Sequence, residues 1–164
     1  MRASDRREYE ALFRASFTSV ARTVFLIVRD RAVAEELTQD AFLKLLGRWS
    51  TVSAYERPEA WVRKVAVRMA LRHLSRERSR PLREMRAYAV PAPPADPDPD
   101  VAAAVRQLAP MQRAAVVLHY FEDRPVAEIA EVLRVSESTV KQHLYRARAR
   151  LAQALGEEVA SDVG

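Results

Sequence analysis

The chain contains no cysteine, which excludes a disulfide framework and any thiolate metal site. Its three histidines, His73, His119 and His143, share no ligand spacing and have no acidic companions, so no metal or other cofactor is expected. Glycine is scarce: there are three in 164 residues, two of them (Gly156, Gly164) among the last nine. Alanine, leucine and arginine dominate instead, and nothing reads as evenly spaced strands between turn signals, so an all-α fold is favoured. Long apolar runs are missing too. The longest near the N-terminus is Val24–Val28, far short of a membrane span or a signal-peptide core. A cytoplasmic protein without membrane insertion is therefore expected. No carboxylate cluster spaced for Mg²⁺, no phosphate loop and no nucleophile–base pair can be found, which argues against an enzyme.

What the chain has is positive charge in one place. The net charge is +5, but between Arg57 and Arg86 ten Arg/Lys stand against Glu59, Glu77 and Glu84. Such a stripe attracts a polyanion. Nearly all the cations are arginine, whose planar fork suits bidentate phosphate or base contacts better than lysine does. The length allows one or two domains with cores of their own.

The most informative stretch is Pro125–Leu155, PVAEIAEVLRVSESTVKQHLYRARARLAQAL. Val126, Ile129, Ala130 and Leu133 recur at i, i+3, i+4, i+7, the spacing of a one-sided helix. Pro125 suits the first helical position. Arg134-Val135-Ser136 breaks the pattern, and Ser136 is a good N-cap for a second helix. There Val140, Leu144, Ala147 and Leu151 make the apolar stripe. At about 100° per residue, Gln142 and Ala149 point away from it, flanked by Ser138, Lys141, Tyr145 and Arg146. Two short helices around a three-residue break, the second basic, read as a helix-turn-helix. Gln can pair with adenine and Lys or Arg with guanine in a major groove, while Lys141, Arg146, Arg148 and Arg150 can meet phosphates. An ordinary helical hairpin with a solvated basic face would give the same pattern.

In the N-terminal half, Asp5 with Glu8 suggests a capping box. Tyr9, Leu12, Phe13, Phe17, Val20, Val24 and Val28 then form a helical stripe. A second helix from about Asp30 to Arg48 carries Val33, Leu37, Ala41 and Leu45 on one side, widened by Phe42, Leu46 and Trp49. Its other face holds Glu36, Gln39, Asp40 and an apolar Leu43, either a partner surface or one of the single exposed leucines common on proteins. Ser50–Glu56 reads as a polar loop. A third helix from Pro58 carries Trp61, Val65, Met69 and Leu74 inward, with Arg63, Lys64, Arg68, Arg72 and Arg76 on the remaining surface. A basic helix beside a loop holding Tyr55 suits a single strand, phosphates on arginine and bases on an aromatic ring. Fraying is expected over Arg76–Arg86.

Composition changes at 87–100, where five of the nine prolines interleave with Asp96, Asp98 and Asp100. This reads as an extended acidic linker, able to span roughly 40 Å at about 3.1 Å per residue. The expected layout is a first domain over 1–86, the linker, a second domain over 101–156 and a disordered tail over 157–164. In the second domain Pro110 opens a helix whose Met111, Ala114, Ala115, Leu118 and Phe121 should cover the helix-turn-helix, with Glu122–Arg124 as a loop.

Both halves resemble one family. DAFLKLLGRW (Asp40–Trp49) and PEAWVRKVAVRMALRHLSRERSR (Pro58–Arg80) resemble region 2 of a bacterial RNA polymerase sigma-70 factor. LAPMQRAAVVLHYFEDRPVAEIAEVLRVSESTVKQHLYRARARL (Leu108–Leu151) resembles region 4. The short connection between them is similar to that of the extracytoplasmic-function (ECF) group. The resemblance implies two small helical domains and a subunit that binds core RNA polymerase and promoter DNA. It places Gln39, Asp40, Leu43 and Lys44 on the polymerase clamp. It places Tyr55, Arg63, Lys64, Arg68, Arg72 and Arg76 on the melted −10 element. It places Ser136, Ser138, Thr139, Lys141, Gln142, His143, Tyr145, Arg146, Arg148 and Arg150 on the duplex −35 element, with the linker in the polymerase's RNA path. An anti-sigma factor, which holds many members of the family inactive, is a further implied partner.

The chain also departs from the family pattern. Arg68 stands where Asn is usual, Arg72 where Asp is frequent, Arg134 and Ser138 at usual glycines and His143 at a frequent Arg. A non-glycine at a left-handed turn costs about 1 kcal/mol, so Arg134 is tolerable there. The competing reading is a helix-turn-helix regulator acting without polymerase, but such a protein needs a dimer surface for paired half-sites and no heptad is present.

Overall fold

The structure, a computed structural model, describes residues 1–79 and 99–156. Among these there is helix and no strand. The chain divides into two compact units, Met1–Pro81 and Leu82–Gly164. Residues 87–98 of the linker expected over 87–100, the tail over 157–164 and most of the Arg76–Arg86 run lie outside the described residues.

The first unit is built from α1 (Ala3–Val28), α2 (Arg31–Gly47), the single turn α3 (Trp49–Val52) and α4 (Pro58–Ser79). At the start of α1 the backbone N–H of Arg2 donates to the Asp5 carboxylate at 3.2 Å, so Asp5 sits at the third helical position and Arg2 is the cap. The expected Asp5–Glu8 box is one turn late. Arg29 ends α1 in the left-handed conformation (φ 62°), and Asp30 caps α2 by accepting the Val33 N–H at 3.1 Å. This two-residue connection brings α2 back onto α1, and α4 packs against both.

By length and composition alone α1 could cross a membrane. Here its C-terminal part, Val20 and Thr23–Val28, is buried within the unit. The core joins Val20, Val24 and Ile27 of α1, Phe42 and Leu45 of α2, Val52, and Val62 and Val67 of α4. Thr23 and Thr38 are buried among them, and their hydroxyls donate to the carbonyls of Ser19 (3.1 Å) and Ala34 (2.7 Å) one turn back, so neither polar group is left unsatisfied. Further out, Phe13 and Phe17 meet the Phe42 ring at 5.0 and 5.7 Å, and the Tyr9 ring meets Trp49 edge-on at 5.5 Å.

The expected loop over Ser50–Glu56 begins as helix instead: Trp49 and Val52 are buried, and one turn is the local geometry that turns both inward. The core stripe of α4 also differs from expectation. Val62, Arg63, Ala66, Val67, Met69 and Ala70 are buried, whereas Trp61 and Val65 are half-buried. Because α4 packs against both α1 and α2, its buried arc is wide and centred about one residue later than a single-neighbour stripe from Trp61 would be.

In the second unit α8 (Glu137–Leu155) packs against α5 (Pro99–Arg106), α6 (Pro110–Val116) and α7 (Val126–Leu133). α5 opens at Pro99, inside the stretch read as linker. α6 continues as a π-helical turn over Val117–Phe121, closed by Glu122 N–H donating to the Val117 carbonyl five residues back at 3.1 Å. The wider turn shifts the helical phase. Leu118 stays buried, but Phe121, expected in the core, is 38% exposed. Pro125 precedes α7 with extended geometry (φ −68°, ψ 155°), so it is the cap residue, and its carbonyl accepts the Ile129 N–H at 3.1 Å.

Candidate nucleic-acid interface

The helix-turn-helix is α7, a sharp turn and α8. Arg134 occupies the turn in left-handed geometry (φ 57°, ψ 45°), and the Val135 N–H closes back on the Ala130 carbonyl at 3.1 Å. Ser136 then caps α8, its Oγ accepting the Thr139 N–H at 3.1 Å. The same Oγ lies 3.0 Å from Ser138 Oγ and 2.8 Å from Thr139 Oγ1. The three hydroxyls therefore form one cluster at the positive end of the helix dipole, which favours an approaching phosphate. Val140, Leu144, Ala147 and Leu151 are the buried residues of α8.

This packing sorts the ten candidate residues of α8. Ser136, Ser138, Lys141, Gln142, Tyr145 and Arg146 are exposed, Tyr145 to 74%. Thr139 and His143 are half-buried at the flanks. Burial, with the Arg146 charge adding to it, holds the His143 imidazole below its ordinary pKa. Arg148 and Arg150 turn back onto their own unit. Arg148 Nε donates to Tyr120 Oη at 2.7 Å, and Arg150 Nη1 donates to the Gln107 carbonyl at 3.4 Å. The outward surface is thus the N-terminal two and a half turns of α8, the part that reads base edges when such a helix enters a major groove.

The sequence is matched by known proteins. The family model for Sigma-70 region 4 matches residues 100–151, and the model for Sigma-70 region 2 matches residues 12–80. The RNA polymerase sigma-E factor of Streptomyces coelicolor is 31% identical over 155 residues, spanning 90% of this chain and 86% of the relative. The chain belongs to the sigma-70 family. Within it, the relatives place this factor in the ECF group. The ECF RNA polymerase sigma factor SigM of Mycobacterium tuberculosis is 31% identical over 157 residues, 94% of this chain and 80% of that one. The fold agrees with the sigma factor RpoE of Bartonella quintana, solved in complex with the anti-sigma factor NepR. That likeness has a TM-score of 0.66 and 17% identity, and covers 91% of this chain and 97% of the other.

In the region 2 unit of this sigma factor the candidate sets divide differently. Gln39, Asp40, Leu43 and Lys44 are all exposed on α2, Leu43 to 63%. Among the −10 candidates Arg72 and Arg76 are exposed, Lys64 and Arg68 half-buried, and Tyr55, in the turn after α3, is 48% exposed. Arg63 is the exception. It is 9% exposed and sits in the wide buried arc of α4 beside Val62, so it is removed from the surface a strand could touch. Trp61, assigned to the core from its spacing, is only half-buried. Counting the helical phase from Val62 rather than Trp61 would have placed it with Lys64 and Arg68. The structure also joins residues that the sequence kept apart: Asp40 and Lys44 of α2 line one cleft with Met69, Arg72 and Arg76 of α4. Among the described residues no group of His, Asp or Glu is placed to hold a metal ion.

Proposed function

We propose that this sigma factor binds core RNA polymerase and directs it to promoters, as ECF factors do. The region 4 unit reads the −35 duplex through the exposed face of α8, with Gln142 as the base reader and Lys141, Arg146 and the Ser136 end of the helix on phosphates. The region 2 unit docks through Gln39, Asp40, Leu43 and Lys44 and holds the melted −10 strand with Lys64, Arg68, Arg72, Arg76 and Tyr55. Such a subunit acts in the cytoplasm and performs no catalysis of its own. An anti-sigma partner of the kind bound by the Bartonella factor belongs to the same reading.

The observation that carries it is the division of α8. One face is fully spent on the hydrophobic core, while the opposite face keeps an amide, a phenol and two cations in solvent. An ordinary helical hairpin also keeps a solvated polar face; what favours DNA here is that this face belongs to the second helix of a helix-turn-helix in a chain matched by Sigma-70 region 4. The experiment is run-off transcription with purified core enzyme on a promoter library. Specific transcripts sharing two spaced elements are the expected result. Failure to associate with core enzyme, together with unaided DNA binding, would show that the helix-turn-helix acts alone.

A further inference from the structure

Two flanks of α8 carry cations at helical spacing. Lys141, Tyr145 and Arg148 follow one another at i, i+4, i+7 up one flank, and Thr139, Arg146 and Arg150 at i, i+7, i+11 up the other. On each flank the cation nearer the N-terminus, Lys141 or Arg146, is exposed, while the arginine farther along is tied to its own unit. Arg150 donates to the Gln107 carbonyl at 3.4 Å. Arg148 is half-buried and held twice by one side chain. Its Nε donates to Tyr120 Oη at 2.7 Å, and its guanidinium carbon lies 5.7 Å from the centre of the Tyr120 ring. That ring is fixed in turn. His119 packs against it edge-on at 4.7 Å, and His119 Nδ1 donates to the Arg124 carbonyl at 3.2 Å. Both aromatic residues belong to the π-helical turn, an irregularity that recurs at functional sites.

We propose that Tyr120 sets how firmly the region 4 unit holds DNA of any sequence, by withholding Arg148 from the phosphates beside the groove. The proposal rests on the reading of α8 as the helix that enters the −35 duplex. Arg148 stands about 10 Å beyond Lys141 on the same flank, so a released guanidinium would meet the phosphate wall that Lys141 meets. Such a contact adds affinity and reads no base. Each phosphate neutralised also releases counterions, so the number of contacts shows in the salt dependence of binding. Tyr120 keeps that number down by one. An exposed ion pair is weak in water, where high dielectric and lost side-chain entropy offset the attraction. A hydrogen bond and a ring face offered together therefore compete with it. The benefit lies away from promoters: non-specific sites vastly outnumber specific ones, and a unit with fewer phosphate contacts is less retained on them. Tyr120 touches no DNA itself and is a positioning residue.

The test is fluorescence anisotropy of the full chain on a short labelled duplex of mixed sequence, over a range of salt concentrations. Tyr120→Leu removes both hydroxyl and ring. It should bind more tightly at low salt and steepen the slope of log affinity against log salt by about 0.9, one phosphate. Tyr120→Phe keeps the ring and should fall between Tyr120→Leu and the parent. Arg148→Gln should leave the parental slope unchanged, yet return the slope of Tyr120→Leu to the parental value. Loss of stability alone weakens binding and cannot produce tighter binding with a steeper slope. Circular dichroism confirms that the variants are folded, and should Tyr120→Leu unfold, Tyr120→Phe carries the same comparison. Lys141→Gln, which removes an exposed cation of α8, should flatten the slope by about 0.9 and so report that α8 faces the duplex. No effect of Lys141→Gln would overturn the −35 reading, and the proposal with it. With Lys141→Gln effective, three results would each overturn the proposal alone. These are an unchanged slope in the Tyr120 variants, a slope flattened by Arg148→Gln in the parent, and a steepened slope that survives Arg148→Gln.

Discussion

Arg148 of α8 donates from Nε to the Tyr120 hydroxyl at 2.7 Å, and its guanidinium lies 5.7 Å from the centre of the same ring. The pair ties α8 to the π-helical turn before α7 and turns Arg148 away from the exposed face that carries Gln142. Tyr120→Phe removes only the hydrogen bond and should destabilise the region 4 unit by about 0.5–1.5 kcal/mol. Arg148→Ala should cost about 0.5–1 kcal/mol more by losing the ring contact as well. Neither should alter which −35 bases are preferred. Thermal melts and a randomised-promoter selection check both halves, and a changed base preference would return Arg148 to the reading set.

Gln142 stands in solvent on the opposite face of α8. Gln142→Ala should relax preference at a single −35 position, at a cost of ~1–3 kcal/mol for a bidentate contact. The stability of the unit should not change, because the side chain is exposed. Selection from randomised −35 sequences measures the effect, and an unaltered consensus would exclude Gln142.

Leu43 projects from α2 among polar neighbours and is 63% exposed. Leu43→Asp should weaken association with core polymerase by roughly tenfold, ~1.4 kcal/mol, while leaving the melting temperature unchanged. Co-purification at parental levels would mark Leu43 as an ordinary surface leucine.

His143 has a lowered pKa, first from burial and then from the Arg146 charge. The unfolded chain therefore takes up this proton at a higher pH than the folded one. Stability is complete while both states are neutral and declines as pH falls below histidine's ordinary value of about 6.5. Unfolding of the region 4 unit between about pH 7 and pH 5.5 should show this decline, and His143→Gln should flatten it. An identical pH profile in the variant would place the proton elsewhere.

Arg134 holds left-handed geometry at the turn of the helix-turn-helix. Arg134→Gly should relieve about 1–2 kcal/mol of strain against about 0.4–1 kcal/mol of added unfolded-state entropy. A small net gain in stability is expected, and denaturant titration measures it.

Much of this factor was legible in its sequence because the decisive signals are local. Val140, Leu144, Ala147 and Leu151 recur with the helical period, so their burial and the exposure of Gln142 follow from geometry within one helix. Ser136 as a cap and the break at Arg134 are equally local. What sequence periodicity could not supply is how many neighbours a helix has. α4 packs against two helices, so its buried arc widened to include Arg63 and left Trp61 half-exposed. The extra residue in the π-helical turn rotated Phe121 outward for a similar reason: the hydrogen-bonding pattern changed where the period was assumed constant. The cleft of Asp40, Lys44, Arg72 and Arg76 lies at the far end of the same limit. The residues come from helices about thirty positions apart in the chain, and only packing α2 beside α4 brings their charges together. The sequence by itself determined which faces are apolar and which are charged, since that depends on helical pitch alone. Tertiary structure alone decided which charged faces meet, because Coulomb energy depends on distance in space, which the order of residues does not specify.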